Sequence, residues 1–128
     1  MNETRSEALY SELLQVLQTA SLYEIRLKQF MHETKHKAAD PDLLKQIDDM
    51  ATSGLPSLMG KLINRYELHT AFLALARYIR SFGDAAYVIE KIAALLTDRM
   101  AADDGSSEVK ALIAETGKYM GLVDTLIK

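Results

Sequence analysis

His32-Glu33-Thr34-Lys35-His36 is the segment whose residue types come nearest to a reaction centre. On a helix, H-E-x-x-H sets two imidazoles on one face to hold Zn²⁺, with the glutamate placed as general base. A zinc-dependent hydrolase built on it needs a third ligand and an extended edge to hold its substrate. No further histidine follows in the expected downstream position, and no strand-like alternation of useful length occurs. The register set by Leu27 and Phe30 turns both histidines to the outer face, near the helix end. There Lys35, His36 and Lys37 complement the negative end of the helix dipole. A solvated helix end explains the segment better than catalysis, which leaves His32 and His36 as weak metal candidates.

The carboxylates point the same way. A buried di-metal centre in a bundle takes glutamates from two helices and Glu-x-x-His from two others. This chain has no Glu-x-x-His, and its helical seams are apolar. Asp48 and Asp49 lie beside Ile47 and read as a solvated face, so they too are only weak metal candidates. Arg65 and His69 stand too close together for the motif of helical ribonucleases, and the flanking pattern is missing. No Ser-His-Asp arrangement or glycine-rich phosphate loop is present. Met31, Met50, Met59, Met100 and Met120 sit at apolar positions, where a thioether is core filler. The expectation is no enzyme, no metal and no cofactor.

The elements that must carry these residues are long amphipathic helices. Leu68, Phe72, Leu75, Ile79, Phe82, Ala86, Ile89, Ala93, Leu96 and Met100 recur at spacings of four and three, the seam of one central helix over about 67–100. Leu9, Leu13, Val16, Ala20, Tyr23, Leu27 and Phe30 give a first helix over about 4–36, widened by Tyr10, Leu14 and Leu17. Thr4 and Glu7 fit a capping box at its start. Asp40 is a natural N-cap with Pro41 at the first helical position. The second helix, 41–65, meets Gly54 and Pro56, and its surviving register favours a kink there over a restart at Ser53. After a tight reversal in 64–67 and the central helix, Ser106 caps a fourth over 107–127. Its seam is Val109, Leu112, Thr116, Tyr119, Val123 and Leu126. Short connections favour antiparallel neighbours, hence a single all-α domain over residues 1–128, an up-down four-helix bundle.

At 128 residues the chain can bury a core without staples. Its net charge of −3 is spread along the chain, with no basic stripe for phosphate neutralisation, so no nucleic-acid partner is expected. Cysteine is absent, which removes disulfides and thiolate chemistry. The polar N-terminus is no signal peptide, and no apolar run reaches membrane-spanning length, which favours a cytoplasmic protein without direct membrane insertion.

One stretch of the central helix suggests a family. Ala76-Arg77-Tyr78-Ile79-Arg80-Ser81-Phe82-Gly83-Asp84-Ala85-Ala86-Tyr87-Val88-Ile89-Glu90 resembles the signature helix of the phosphate-uptake regulator (PhoU) family, whose pattern is roughly A-R-x-L-E-R-I-G-D-x-A-x-N-I-A-E. Ala76, Arg77, Gly83, Asp84, Ala86 and Ile89 match directly, with Ile79 and Phe82 as apolar equivalents. The match spans about fifteen of the 128 residues. The resemblance implies a helical regulatory module for phosphate uptake, of a kind that also occurs attached to ion transporters. It also implies surface metal clusters held partly by a Glu and an Asp four residues apart. Here the Asp is Asp84, but the Glu position is Arg80, whose charge repels a cation, and a side-chain Arg80–Asp84 bridge is expected instead. Asp48 and Asp49 lack the second carboxylate of the other acidic motif, because Leu44 and Lys45 stand four residues before them.

The function expected is therefore a non-enzymatic regulatory or adaptor bundle resembling PhoU, acting on phosphate or ion transport through contact with a transporter or sensor component. Arg77, Arg80 and Asp84 are its candidate binding residues. The alternative is an unrelated helical interaction module that self-associates, for instance as a homodimer.

Overall fold

The computed structural model describes residues 2–33, 40–68, 79–102 and 107–127, with side chains from Glu7 onward, and these form helices joined by short non-helical segments, with no strand among them. Helix α1 is Asn2–Glu33, α2 Pro41–Asp49, α3 Leu55–Arg65, α4 Phe82–Lys91, α5 Ala93–Ala102 and α6 Ser107–Ile127; a π-helical turn, Met50–Gly54, joins α2 to α3. Because α1 already runs from Asn2, Thr4 is a helical residue rather than the cap. The expected ends at Lys35–Lys37 and Ser106 lie outside the described residues.

The second helix keeps right-handed helical dihedrals from Pro41 to Arg65, and Ser53 starts nothing new. Asp40 caps it as its sequence predicts, in extended conformation and accepting from the Leu43 N–H at 3.0 Å. Pro56 cannot donate to Thr52. The helix absorbs this one turn earlier by widening, with the Leu55 N–H reaching back five residues to the Met50 carbonyl.

The largest departure is the central helix. Over residues 79–100 it is not one helix, and residues 69–78 lie outside the described set. Helix α3 closes at Tyr66–Leu68 in a Schellman turn: Leu68 N–H donates to the Ile63 carbonyl at 3.0 Å and Glu67 N–H to that of Asn64 at 3.4 Å. Glu67 takes the left-handed position there at φ 53°, where glycine is the usual residue. Ile79 and Arg80 are not helical, and Ser81 is an extended N-cap from which α4 starts. A further hitch at Ile92 separates α4 from α5. Apolar periodicity survived these interruptions because a core is satisfied by position, not by helical continuity.

Chain direction follows from the ends. Leu55 and Pro56 share a pocket with Ile79, Ser81 and Phe82, whereas Glu67 pairs with Arg99 at 3.7 Å. Helices α3 and α4–α5 therefore run parallel, not antiparallel as short connections suggested. Helix α6 runs beside α1 in the same sense: Tyr23 donates to Asp124 at 3.3 Å, and Leu17 and Leu112 line one pocket. The antiparallel packed pairs are α1 with α4–α5 and α6 with α2–α3, where Arg65 at the end of α3 meets Glu108 at the start of α6. Gly83 sits where α4 crosses α1 closely, since a Cβ there would stand 3.2 Å from Ser21 Oγ.

The core lies between α1, α3, α4–α5 and α6. Every seam residue of α6 is buried, and the Thr116 hydroxyl donates to the Leu112 carbonyl at 2.7 Å so that no polar atom is stranded. On α1 the fully buried residues are Leu13 and Ala20 of the expected seam together with Leu17 beside it, while Val16 and Tyr23 are only half-buried. Continuing their stripe by four residues from Ala20 brings in Glu24.

Candidate functional site

Glu24 is the charged group that the fold draws furthest inward along this stripe. Its side chain is 15% exposed and pairs with Lys28 at 3.6 Å, an ammonium that is itself 74% exposed. Burial raises the Glu24 pKa, Lys28 opposes the shift, and the Asp84 carboxylate adds to it. Beneath lies Tyr119, stacked at 4.6 Å between ring centroids on Phe82 with a 45° tilt. Its phenol is pushed up to about 12, first by burial and then by the charge of Glu24.

Two adjoining hollows meet at Glu24. The inner one, about 40 Å³, is walled chiefly by Leu17, Leu55, Met59, Phe82 and Leu112. The outer cleft, about 1080 Å³, opens between α1 and α2 over Leu27, Met31, Leu44 and Ile47, with Lys28, His32, Lys45 and Asp48 around it. Glu24, Ala51 and Arg80 line both. Ala51 belongs to the π turn, so the distortion imposed by Pro56 forms part of the shared wall.

Arg80 and Asp84 do meet, but not as two residues on one helical face. Arg80 precedes the helix, and its backbone N–H donates to the Asp84 carboxylate at 3.1 Å. The Asp84 N–H in turn donates to Ser81 Oγ at 3.2 Å. This is a variant of the reciprocal cap: Ser81 satisfies one orphan amide of α4, and Asp84, three residues on, reaches back past the N-cap to the amide of Arg80, the residue that leads into the helix. Gly83 serves the close approach to α1, and Asp84 serves the cap. Each half of the Gly-Asp pair thus has a structural task.

Arg77 and His36 lie outside the described residues. His32 and Glu33 are exposed at the end of α1; Asp48 borders the outer cleft, and Asp49 is an exposed neighbour. Among the described residues no group of three or more His, Asp and Glu side chains is placed to hold a metal ion. No helix among them is long and apolar enough to cross a membrane.

Glu24 and Ala51 were not singled out by their sequence, and Tyr119 was read only as a seam residue of α6. The signal for Glu24 was available in the stripe Leu13–Leu17–Ala20–Glu24, which a seam drawn through Val16 and Tyr23 bypassed. The signal for the cap was Ser81-x-x-Asp84, a capping-box pattern hidden inside an unbroken apolar repeat. Comparison with protein-family models, with characterised proteins and with solved structures finds no match for this chain.

Proposed function

We propose that the chain is a non-enzymatic regulatory or adaptor bundle of the PhoU type, acting in the cytoplasm on phosphate or ion transport by contact with a transporter or sensor component. The observation that carries this reading is the resemblance over residues 76–90, in which the Gly83-Asp84 pair stands in an apolar frame. Large apolar side chains left in solvent add support. Leu22 and Ile25 on α1 are 62% and 50% exposed, and Tyr87 on α4 is 56% exposed. Such side chains suit the centre of a protein interface.

The same exposed pair favours a second reading, a module that associates with its own kind as a homodimer. Affinity purification from cells, followed by mass determination in solution, separates the two. The adaptor reading expects a phosphate-transporter component to co-purify, and Leu22→Glu with Ile25→Glu to release it. A dimer that the same substitutions split, with no transporter component retained, overturns the first reading in favour of the second. Clean recovery of an unrelated partner counts against the PhoU resemblance.

A further inference from the structure

The shared wall of the two hollows presents acceptors that the protein does not fully satisfy. Glu24 is mostly buried, and its partner Lys28 approaches only to 3.6 Å from solvent, longer than the roughly 2.7–2.9 Å of a good charge-assisted hydrogen bond. The Ala51 carbonyl has lost both helical donors. In the α register its donor is Leu55, whose N–H goes to Met50; in the wider π register it is Pro56, which has no N–H. A π turn set into an α-helix is a frequent mark of a functional site. Glu24, with its anionic carboxylate, and Ala51, with its orphan carbonyl, thus both line an apolar pocket, an arrangement that favours a cationic N–H donor carrying a hydrocarbon group.

The pocket sets the size of that group. One water needs about 10–15 Å³ on this measure, so about 40 Å³ holds roughly three waters, or ~90 Å³ of liquid volume. A branched side chain of three or four carbons fills it. Arg80, the cation of the same wall, faces both hollows and is suited to a carboxylate.

We infer that this junction binds a free α-amino acid with a short branched apolar side chain. The ammonium is received by Glu24 and the Ala51 carbonyl, the hydrocarbon enters the pocket lined by Leu17, Leu55 and Met59, and the carboxylate turns toward Arg80. The inference is independent of the adaptor reading, since it concerns the purified chain with no partner present.

Calorimetric titration of the full chain tests it with three probes of nearly equal shape: leucine, 3-methylbutan-1-amine, which lacks the carboxylate, and 4-methylpentanoate, which lacks the ammonium. Saturable binding of leucine is expected, weaker binding of the amine, and none of the acid. Glu24→Gln keeps the shape and removes the charge, and should weaken leucine by about tenfold to a hundredfold, the usual range for one hydrogen bond to a charged group. Pro56→Ala restores a backbone donor to the turn and should weaken leucine several-fold. It carries the test alone if Glu24→Gln does not fold. Binding of 4-methylpentanoate as tight as leucine overturns the proposal. So does leucine affinity unchanged in both variants, or the lack of saturable binding by leucine, valine and isoleucine at millimolar concentration.

Discussion

The two halves of the α1–α6 contact obey different rules. Toward the start of α6, Val109, Leu112 and Thr116 pack at no more than 1% exposure, and the one hydroxyl among them is satisfied within its own helix. Less than one turn beyond Thr116, at the level of Tyr119, the same pair of helices encloses Glu24, a carboxylate with an incomplete partner, beside a helix widened by proline and two hollows. The first region is what hydrophobic patterning builds by itself. The second departs from it at three places at once: a buried charge, a π turn and a helix that starts late. Local departures from the rules of foldability tend to gather where a protein does something besides fold.

Substitutions divide along this line. The largest effect is expected in the sealed region: Leu62, fully buried on α3, should cost about 2–5 kcal/mol as Leu62→Ala, read by urea unfolding, because its neighbours cannot close the cavity. Next comes the cap that starts α4. Ser81→Ala should cost about 1 kcal/mol by loss of the bond to the Asp84 amide. Asp84→Ala should cost a similar amount, and the double variant less than the sum, since the two bonds form one reciprocal motif. Full additivity would show that the cap is not a unit. The smallest effect has the opposite sign: Glu67→Gly relieves the left-handed backbone and should stabilise by up to ~1 kcal/mol, less whatever the exposed pair with Arg99 contributes.

Legibility in the sequence follows the same division. The α6 seam was readable residue by residue, and the Asp40–Pro41 start of α2 was readable from cap chemistry alone, because each depends on neighbours a few positions away. The central helix was overread. An apolar seam at spacings of four and three continues through Ile79 and Phe82, yet Ser81 and Asp84 together start a helix there, and local capping outweighed the longer pattern. The direction of α4–α5 was not readable either, since it depends on where residues 66–81 carry the chain. Glu24 was missed for a plainer reason: a helical stripe broad enough to touch two neighbours has no single seam, and the one drawn through Leu13 and Ala20 continued to Tyr23 rather than to Glu24. The candidate site is assembled from α1, the π turn, Arg80 and α6, groups that no local spacing connects.

Glu24 also gives the most direct test of the contrast. Burial raises its pKa above the ordinary 4.5, so the folded chain holds that proton more tightly than the unfolded chain does. Its contribution is therefore neutral below the unfolded value and becomes increasingly unfavourable as pH rises from about 4.5 through the raised folded value. Glutamine copies the protonated form in shape and charge. Thermal unfolding of the wild type and Glu24→Gln across pH 3 to 8 (a range of roughly ordinary buffers) should show the variant more stable at neutral pH, with the gap closing in acid. A variant equally or less stable than the wild type at neutral pH, or a gap that pH does not change, would contradict the claim that this junction holds an incompletely satisfied charge.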